Sequence, residues 1–352
     1  MPYLLANNGH SDVRQIVMQI RQVAIRILTA VTMMAAVACQ PGSTQRVRLA
    51  VTKGPTHHLP IYLAEALGYY KQGGLDVTLH EFEGGSRVMQ ALLGGSADVA
   101  SGAYEQIIQI AAEGQRVRAF VTVFHGSGMV FVVSPQARRK IQTIADLKGA
   151  TIGVTVPGSP SHLFANYLAA RHGVSPSDLT VVGIGNGAAA VLAIERGMVD
   201  AGVSGRGEMV VLRKRHPSLT VLADASTAAG ARDIFAVDPY PSHVLYAKPE
   251  WLERNPDVTR KLARAMKRTL TWTHVHSAEE IRRLMPEHLR MEDAEGDLES
   301  IRSAIPMFST DGLMPAEGAE AVRRVLAVSN EKVRNSRIDL RETYTNEFVQ
   351  DR

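Results

Sequence analysis

Five histidines stand in or beside loops that follow predicted strands, where an imidazole could contact a ligand. They are His57, His58, His125, His162 and His243. Such a ring can donate a hydrogen bond to a ligand, be satisfied inside a core, or coordinate a metal. We expect one of the first two roles and no metal site. Adjacent His57 and His58 are expected to point in different directions, and no nearby Asp or Glu pattern completes a coordination sphere.

Serines recur where predicted helices begin. Ser86, Ser159 and Ser161 occupy such positions, where unpaired N–H groups and the helix dipole favour an anion or a carbonyl oxygen. The alternative for each serine is simple capping of its own helix. Pro160 suits the first helical position after Ser159.

Four more residues in strand-end loops complete the candidate ligand-binding set: Ser101, Tyr104, Asn186 and Arg206. Tyr104 opens a predicted helix, where its ring could stack on a ligand or pack in the core. Arg206 lies between two glycines and could pair with an acidic ligand or remain a solvated loop arginine.

The first segment of the chain predicts export. The apolar run 27–38 follows Arg21 and Arg26 and ends at Cys39. This run is shorter than the roughly 20 residues that span a bilayer, and a basic start before a short apolar run is typical of a secretory signal. We expect a signal peptide over 1–38, or 18–38 if translation starts at Met18.

The "AVAC" ending resembles a bacterial lipobox, although Ala36 stands where leucine is usual. We therefore expect Cys39 to be lipidated, followed by a tether over 39–45. The alternative is an ordinary signal peptide, which would also export the protein.

Composition excludes several classes of protein. Cys39 is the only cysteine, so a disulfide framework and a Cys-based metal site are excluded. The net charge is only +4, and the basic runs at 116–118 and 213–216 have no interleaved aromatic residues, so nucleic acid is not an expected partner. An apolar content of 45% in a chain of 352 residues favours two domains.

Strands that alternate with short helices must position these residues. Alternating patterns predict an α/β fold of mostly parallel sheets with helices on both faces. The predicted strands are 47–52, 76–82, 98–101, 117–124, 128–134, 150–156, 179–185, 200–204, 219–224 and 243–248; the predicted helices are 60–70, 87–93, 104–113, 161–173 and 188–196. From about residue 249 the chain is almost all helical, with a capping box at Ser277 and Glu280.

A repeated stretch indicates two lobes. "GGSRVMQALLGGSADVASG" (84–102) and "NGAAAVLAIERGMVDAGVSG" (186–205) share a helix, a Gly-x-x-Asp unit and a short strand. We expect lobe 1 to comprise 46–127 and 244–352 and lobe 2 to comprise 128–243, with crossovers near 128–134 and 237–246. The cleft between them is the expected ligand site, because open parallel sheets bind ligands at the carboxyl ends of their strands.

Three further stretches carry a family resemblance: "IYLAEALGYYKQGGLDVTL" (61–79), "IQTIADLKGATIGV" (141–154) and "IERGMVDAGV" (194–203). With the repeat, they resemble solute-binding proteins of ABC importers, in the branch of sulfonate, taurine, nitrate and pyrimidine-precursor binders. The resemblance implies a two-lobed periplasmic-binding-protein fold of type II that closes on a small molecule. It also implies an ABC permease as partner, a monomer, no cofactor and no catalysis.

Two alternatives share this fold. One is a sensory lipoprotein that uses the same clamp without transport. The other is an enzyme, because the branch resembles pyrimidine synthases that use a cysteine-rich motif and a histidine. The only cysteine here, Cys39, lies outside the predicted lobes.

Overall fold

The computed structural model describes residues 44–53, 56–237 and 239–350. The predicted signal peptide, the lipidation site Cys39 and all of the tether except its last two residues lie outside the described residues. In the part of the chain that is described, no helix combines the length and the apolar character needed to cross a membrane.

Ten strands within the described residues form two five-stranded sheets. They are β1 (Gln45–Thr52), β2 (Leu75–Phe82), β3 (Val99–Ala103), β4 (Arg118–His125), β5 (Met129–Val133), β6 (Thr151–Val154), β7 (Thr180–Gly183), β8 (Ala201–Gly205), β9 (Val221–Asp224) and β10 (Pro241–Ala247).

Each sheet contains one strand that runs against the other four. The first sheet has the order β2-β1-β3-β10-β4, and β10 is antiparallel to both of its neighbours. The second has the order β7-β6-β8-β5-β9, and β5 is the reversed strand. The expected α/β class with mostly parallel sheets is therefore confirmed. The exact lobe boundaries, with their crossovers near 128–134 and 237–246, stay a prediction.

Helices connect and cover the strands. They are α1 (Leu59–Ala66), α2 (Tyr69–Gln72), α3 (Gly85–Leu93), α4 (Tyr104–Ala112), α5 (Pro160–Arg171), α6 (Ala188–Glu195), α7 (Arg206–Arg215), α8 (Ala228–Phe235), α9 (Pro249–Arg254), α10 (Pro256–Val275), α11 (Ala278–Leu284), α12 (Ala294–Ala304), α13 (Ala316–Ser329), α14 (Glu331–Asn335) and α15 (Glu347–Gln350). Short 3-10 turns include one at Thr56–His58.

Two helix predictions need correction. The helix predicted over 60–70 is two helices, because Gly68 adopts φ +70° between α1 and α2, a left-handed conformation that ends the first helix. Arg206 was expected in a strand-end loop, but it is the first residue of helix α7. The capping box is confirmed: Glu280 N–H donates to Ser277 Oγ at 3.2 Å, and Ser277 N–H donates to Glu280 Oε2 at 2.9 Å.

The repeated stretch has a shared structural purpose. After α3, Asp98 accepts a hydrogen bond from the backbone N–H of Arg48 in β1 at 2.9 Å. After α6, Asp200 accepts one from the N–H of Thr151 in β6, also at 2.9 Å. Each aspartate N–H in turn donates to the carbonyl of the same strand residue. The repeat thus fixes a helix–strand unit against the first parallel strand of each sheet.

Candidate functional site

A cavity of about 560 Å³ lies where the carboxyl ends of strands from both sheets meet. The first sheet contributes the ends of β1 and β3, the loop after β2, the Thr56–His58 turn and β10. The second contributes the loops after β6 and β7 and the end of β8. The polar side chains that line it are Thr52, His57, His58, Thr155, Ser159, Ser161, Asn186, Ser204 and His243.

The two sheets approach closely at the rim of this cavity. A Cβ atom on Gly84 would lie 2.5 Å from Val156 Cγ2, so only glycine fits there. The Nδ2 group of Asn186 donates to the Lys53 carbonyl at 3.4 Å, and its Oδ1 accepts from Thr155 Oγ1 at 3.0 Å. Gly84 thus lets the loop after β2 approach the side chain of Val156 across the cleft.

Three histidines from two distant parts of the chain converge in the cavity. The ring centroid of His57 lies 3.8 Å from that of His243 and 4.7 Å from that of His58, and the His58 and His243 centroids are 4.9 Å apart. Their potential ligand nitrogens all lie within 4.8 Å of one another. The expectation that His57 and His58 point apart was wrong, because the Thr56–His58 turn brings both rings towards β10. We call these three side chains the histidine cluster.

Burial keeps the histidine cluster neutral. It lowers the pKa of His57 to about 3, and it lowers the pKa of His58 and His243 well below their usual range, with a further contribution from the neighbouring rings. His58 Nδ1 is hydrogen-bonded to Ser101 Oγ at 3.2 Å, and His243 Nδ1 contacts Ser242 Oγ at 3.4 Å.

The serines at the start of α5 form a local hydrogen-bond network. Ser159 is the N-cap by position, but its hydroxyl makes no capping hydrogen bond and instead pairs with Ser161 Oγ at 2.8 Å. Ser161 Oγ accepts the N–H of Thr155 at 2.9 Å. The predicted place of Pro160 in the first turn is confirmed. Both serines are buried and line the cavity, and simple capping does not describe Ser159.

Several predicted site residues do not line the cavities described here. Tyr104 is fully buried, and its hydroxyl is hydrogen-bonded to Thr343 Oγ1 at 2.6 Å, so its ring packs in the core and is not available for stacking on a ligand. Ser101 does not line the cavity itself, but its Oγ is hydrogen-bonded to His58, which does. Ser86 lies within the first turn of α3 and His125 at the end of β4; both are half-buried.

His162 also lies beside the site, not in it. Its Nδ1 accepts the N–H of Gly158 at 2.9 Å, and burial lowers its pKa. This hydrogen bond fixes the turn before α5. His162 therefore has a structural role, which was the alternative to a hydrogen bond with a ligand.

Arg206 lines an adjoining cavity of about 800 Å³, but its charge is already paired. Its guanidinium donates to Glu299 Oε1 at 2.8 Å and to Asp224 Oδ2 at 3.4 Å. An incoming anion would therefore compete with two carboxylates. Sequence reasoning missed both acids: Asp224 ends a predicted strand and could have been noticed, whereas Glu299 comes from α12, which has no motif that marks it.

A third, smaller cavity of about 390 Å³ adjoins the histidine cluster at His243. Glu105 faces it, and burial raises the pKa of this carboxyl to about 7. One carboxylate oxygen accepts the Tyr240 hydroxyl at 3.0 Å, while the other is buried without a hydrogen-bond partner among the described residues. Phe235 stacks on Tyr240 with centroids 4.0 Å apart. Glu105 directly follows the candidate Tyr104 in the sequence but was not proposed as a site residue.

The chain matches a known protein family. A family model described as NMT1/THI5 like matches residues 55–280, more than half of the sequence. The chain belongs to the NMT1/THI5-like family. The suspected family is thereby confirmed.

The relatives include binding proteins and enzymes. The chain is 26% identical to the candidate binding protein YtlA of Bacillus subtilis, over 71% of this chain and 72% of that one. It is also 26% identical to the 4-amino-5-hydroxymethyl-2-methylpyrimidine phosphate synthase THI13 of Saccharomyces cerevisiae, over 64% of this chain and 66% of that one.

Solved structures share the architecture. A protein of Bordetella bronchiseptica RB50 is 32% identical and superimposes with a TM-score of 0.81, covering 88% of this chain and 96% of that one. The periplasmic aliphatic sulphonate binding protein SsuA of Escherichia coli is 20% identical, with a TM-score of 0.62 over 85% of this chain and 91% of that one, which is a likeness of fold alone. The predicted periplasmic-binding-protein fold is thus confirmed.

Proposed function

We propose that the protein is the extracytoplasmic solute-binding component of an ABC importer, and that it captures a small polar or anionic organic molecule. The observation that supports this most is the cavity of about 560 Å³ at the carboxyl ends of strands from two similar sheets. Ligands of open α/β sheets bind at this edge, and a cavity lined from both sides suits a clamp that closes on its solute.

The lining favours a ligand that accepts and donates hydrogen bonds. Hydroxyl groups of Ser159, Ser161 and Ser204, the amide of Asn186 and neutral imidazoles all line the cavity. Of these, Ser204 Oγ is buried without a hydrogen-bond partner among the described residues, so a ligand could satisfy it. A sulfonate, a carboxylate or a pyrimidine would each fit this chemistry. SsuA is named for sulphonates, and the yeast relatives are named for a pyrimidine product.

A catalytic role is the second candidate, because relatives 26% identical to this chain are named as synthases. The family resemblance associates that activity with a cysteine-rich motif. This sequence contains one cysteine, Cys39, which precedes the family match at residues 55–280. We therefore favour binding without catalysis.

The remaining parts of the proposal concern location and partners. The basic and apolar segment before Cys39 supports export, and the "AVAC" sequence supports a lipid anchor at that cysteine. A lipid-anchored monomer would present its solute to permease subunits in the same membrane.

A ligand screen by thermal unfolding tests the proposal. A ligand that binds only the folded state, at 100 times its dissociation constant, stabilises by about 2.7 kcal/mol. We expect one of a panel of sulfonates, carboxylates and pyrimidines to raise the melting temperature and to bind at a 1:1 ratio by calorimetry. Turnover of any of these compounds would instead favour an enzyme, and no binding across the panel would contradict the proposed class of solute.

A further inference from the structure

The histidine cluster has the composition of a metal site. Nitrogen atoms of His57, His58 and His243 lie within 4.8 Å of one another. Because a zinc–nitrogen bond is about 2.0–2.1 Å long, small side-chain rotations would bring all three to one ion. The cluster is assembled from a turn and a strand that are distant in sequence, so it is not a by-product of one helix face.

Hydrogen bonds orient two of the rings as metal ligands are usually oriented. A metal-bound histidine typically donates its other ring N–H to an oxygen, which fixes the tautomer. Nδ1 of His58 is paired with Ser101 Oγ at 3.2 Å and Nδ1 of His243 with Ser242 Oγ at 3.4 Å. If both Nδ1 atoms carry the proton, each Nε2 keeps its lone pair for an ion.

The surroundings select the kind of ion. No carboxylate is among the described residues that line the 560 Å³ cavity, so the oxygen ligands that Mg²⁺ and Ca²⁺ require are lacking. Imidazole suits zinc, copper, iron and nickel.

Charge balance then implies a further ligand. Three neutral imidazoles leave a divalent ion with its full charge, because no described residue that lines the 560 Å³ cavity is an anion, and a buried uncompensated charge is costly. An anion at the open coordination position would offset it. Zinc sites that exchange a ligand commonly use three protein ligands and one open position.

We propose that His57, His58 and His243 bind one divalent transition-metal ion, and that this ion anchors an anionic group of the solute. The second clause rests on the proposed solute-binding function, whereas the first does not. The anion reaches the open position from the cavity side, where Ser159, Ser161 and Asn186 can hydrogen-bond to it.

Metal titration tests the first clause without any solute. Tag-free protein is treated with a chelator, dialysed, and titrated with Zn²⁺ by calorimetry and with Co²⁺ by visible absorption. We expect one equivalent to bind. Replacing a ligand, in His57→Gln or His243→Gln, should weaken binding more than about 100-fold, and Ser101→Ala, which removes only the partner of His58, by about 10- to 100-fold.

A matched control is His172→Gln, since that residue is exposed and its Nδ1 is hydrogen-bonded to the backbone carbonyl of Leu168 in the preceding turn, away from the histidine cluster. Its metal affinity should equal that of the wild type. Melting temperatures establish that each variant is folded. If the variant of the more buried His243 unfolds, the result for His57→Gln decides the test. Absence of 1:1 binding, or equal affinity in all variants, overturns the metal site.

Azide tests the open position. Added to the Co²⁺-loaded protein, it should change the visible spectrum, because an anion enters the coordination sphere. An unchanged spectrum would overturn the anchoring role while leaving the metal site. Failure of the thermal screen in both the metal-free and Zn²⁺-loaded protein would count against the proposed function, whatever the Zn²⁺ titration shows.

Discussion

The imidazole rings of His57 and His243 lie 3.8 Å apart, centroid to centroid, although one belongs to the turn after β1 and the other to β10. Each is neutral because burial lowers its pKa. This pair makes the site sensitive to acid, since protonating either ring would place a charge beside the other, in a cavity of about 560 Å³ where no described lining residue is a carboxylate.

The apo protein should therefore lose stability as the pH falls. The pKa of His57 is about 3 in the folded protein and about 6.5 in the unfolded chain. Between those values the unfolded chain binds more protons, so the unfolding free energy decreases as the pH is lowered. Each such histidine changes the unfolding free energy by up to about 1.4 kcal/mol per pH unit. Urea denaturation at pH 7 and pH 5, with chelator present, should show a smaller loss for His243→Gln than for wild type. Equal losses would mean that the ring is not buried in neutral form.

Glu105 should make the unfolding free energy depend on pH in the opposite direction. Burial raises the pKa of Glu105 in the folded protein to about 7. The stability that the protonated carboxyl contributes is therefore fully present below pH 4.5 and is lost as the pH rises through 7. Glu105→Gln keeps the shape and the acceptor for Tyr240, and should raise the unfolding free energy by about 1–3 kcal/mol at pH 8 while changing little at pH 4.5. Exposed Glu317→Gln is the control and should show no such difference. A gain that is the same at both pH values would contradict an ionisation effect.

Asn186 should control solute affinity. Its side chain connects the Lys53 carbonyl, after β1, with Thr155, after β6. Asn186→Ala removes both hydrogen bonds and a cavity-lining amide, and we expect about 10-fold weaker binding of the solute from the screen, equivalent to about 1.4 kcal/mol. Calorimetry measures it. Asn330→Ala, which removes the cap of α14, is the matched control and should lower stability alone.

Tyr104→Phe should separate packing from binding. The lost hydrogen bond to Thr343 Oγ1 is buried, so the unfolding free energy should fall by about 1 kcal/mol. Solute affinity should stay unchanged, because the ring does not face the cavities described above. A weaker affinity in this variant would restore the ligand-stacking role first considered for Tyr104.

Cys39→Ser should release the protein from membranes. Stable anchoring requires lipid chains, and the unmodified cysteine or serine provides none. Fractionation of cells that express each form, followed by immunodetection, measures the distribution. Membrane retention of the serine variant would exclude a lipid anchor at this position.

The local features of the sequence determined most of the fold. Alternating or continuous apolar runs located the strands within two residues of their bounds, because strands bury one or both faces of a sheet. The repeated Gly-x-x-Asp unit located equivalent elements in both sheets, and Asp98 and Asp200 show why, since each ties its unit to a neighbouring strand. Gly68 shows the limit, because a single left-handed residue divided a helix that periodicity had predicted as one.

The sequence by itself determined that histidines and serines would stand at strand ends, since turn residues and strand patterns are local. Which of them meet was decided by tertiary structure alone. His243 reaches His57 only because β10 inserts antiparallel between β3 and β4. Arg206 pairs with Glu299, in addition to Asp224, only because α12 brings that carboxylate beside it. Distances between residues far apart in the chain depend on how sheets and helices pack, and no local pattern encodes them.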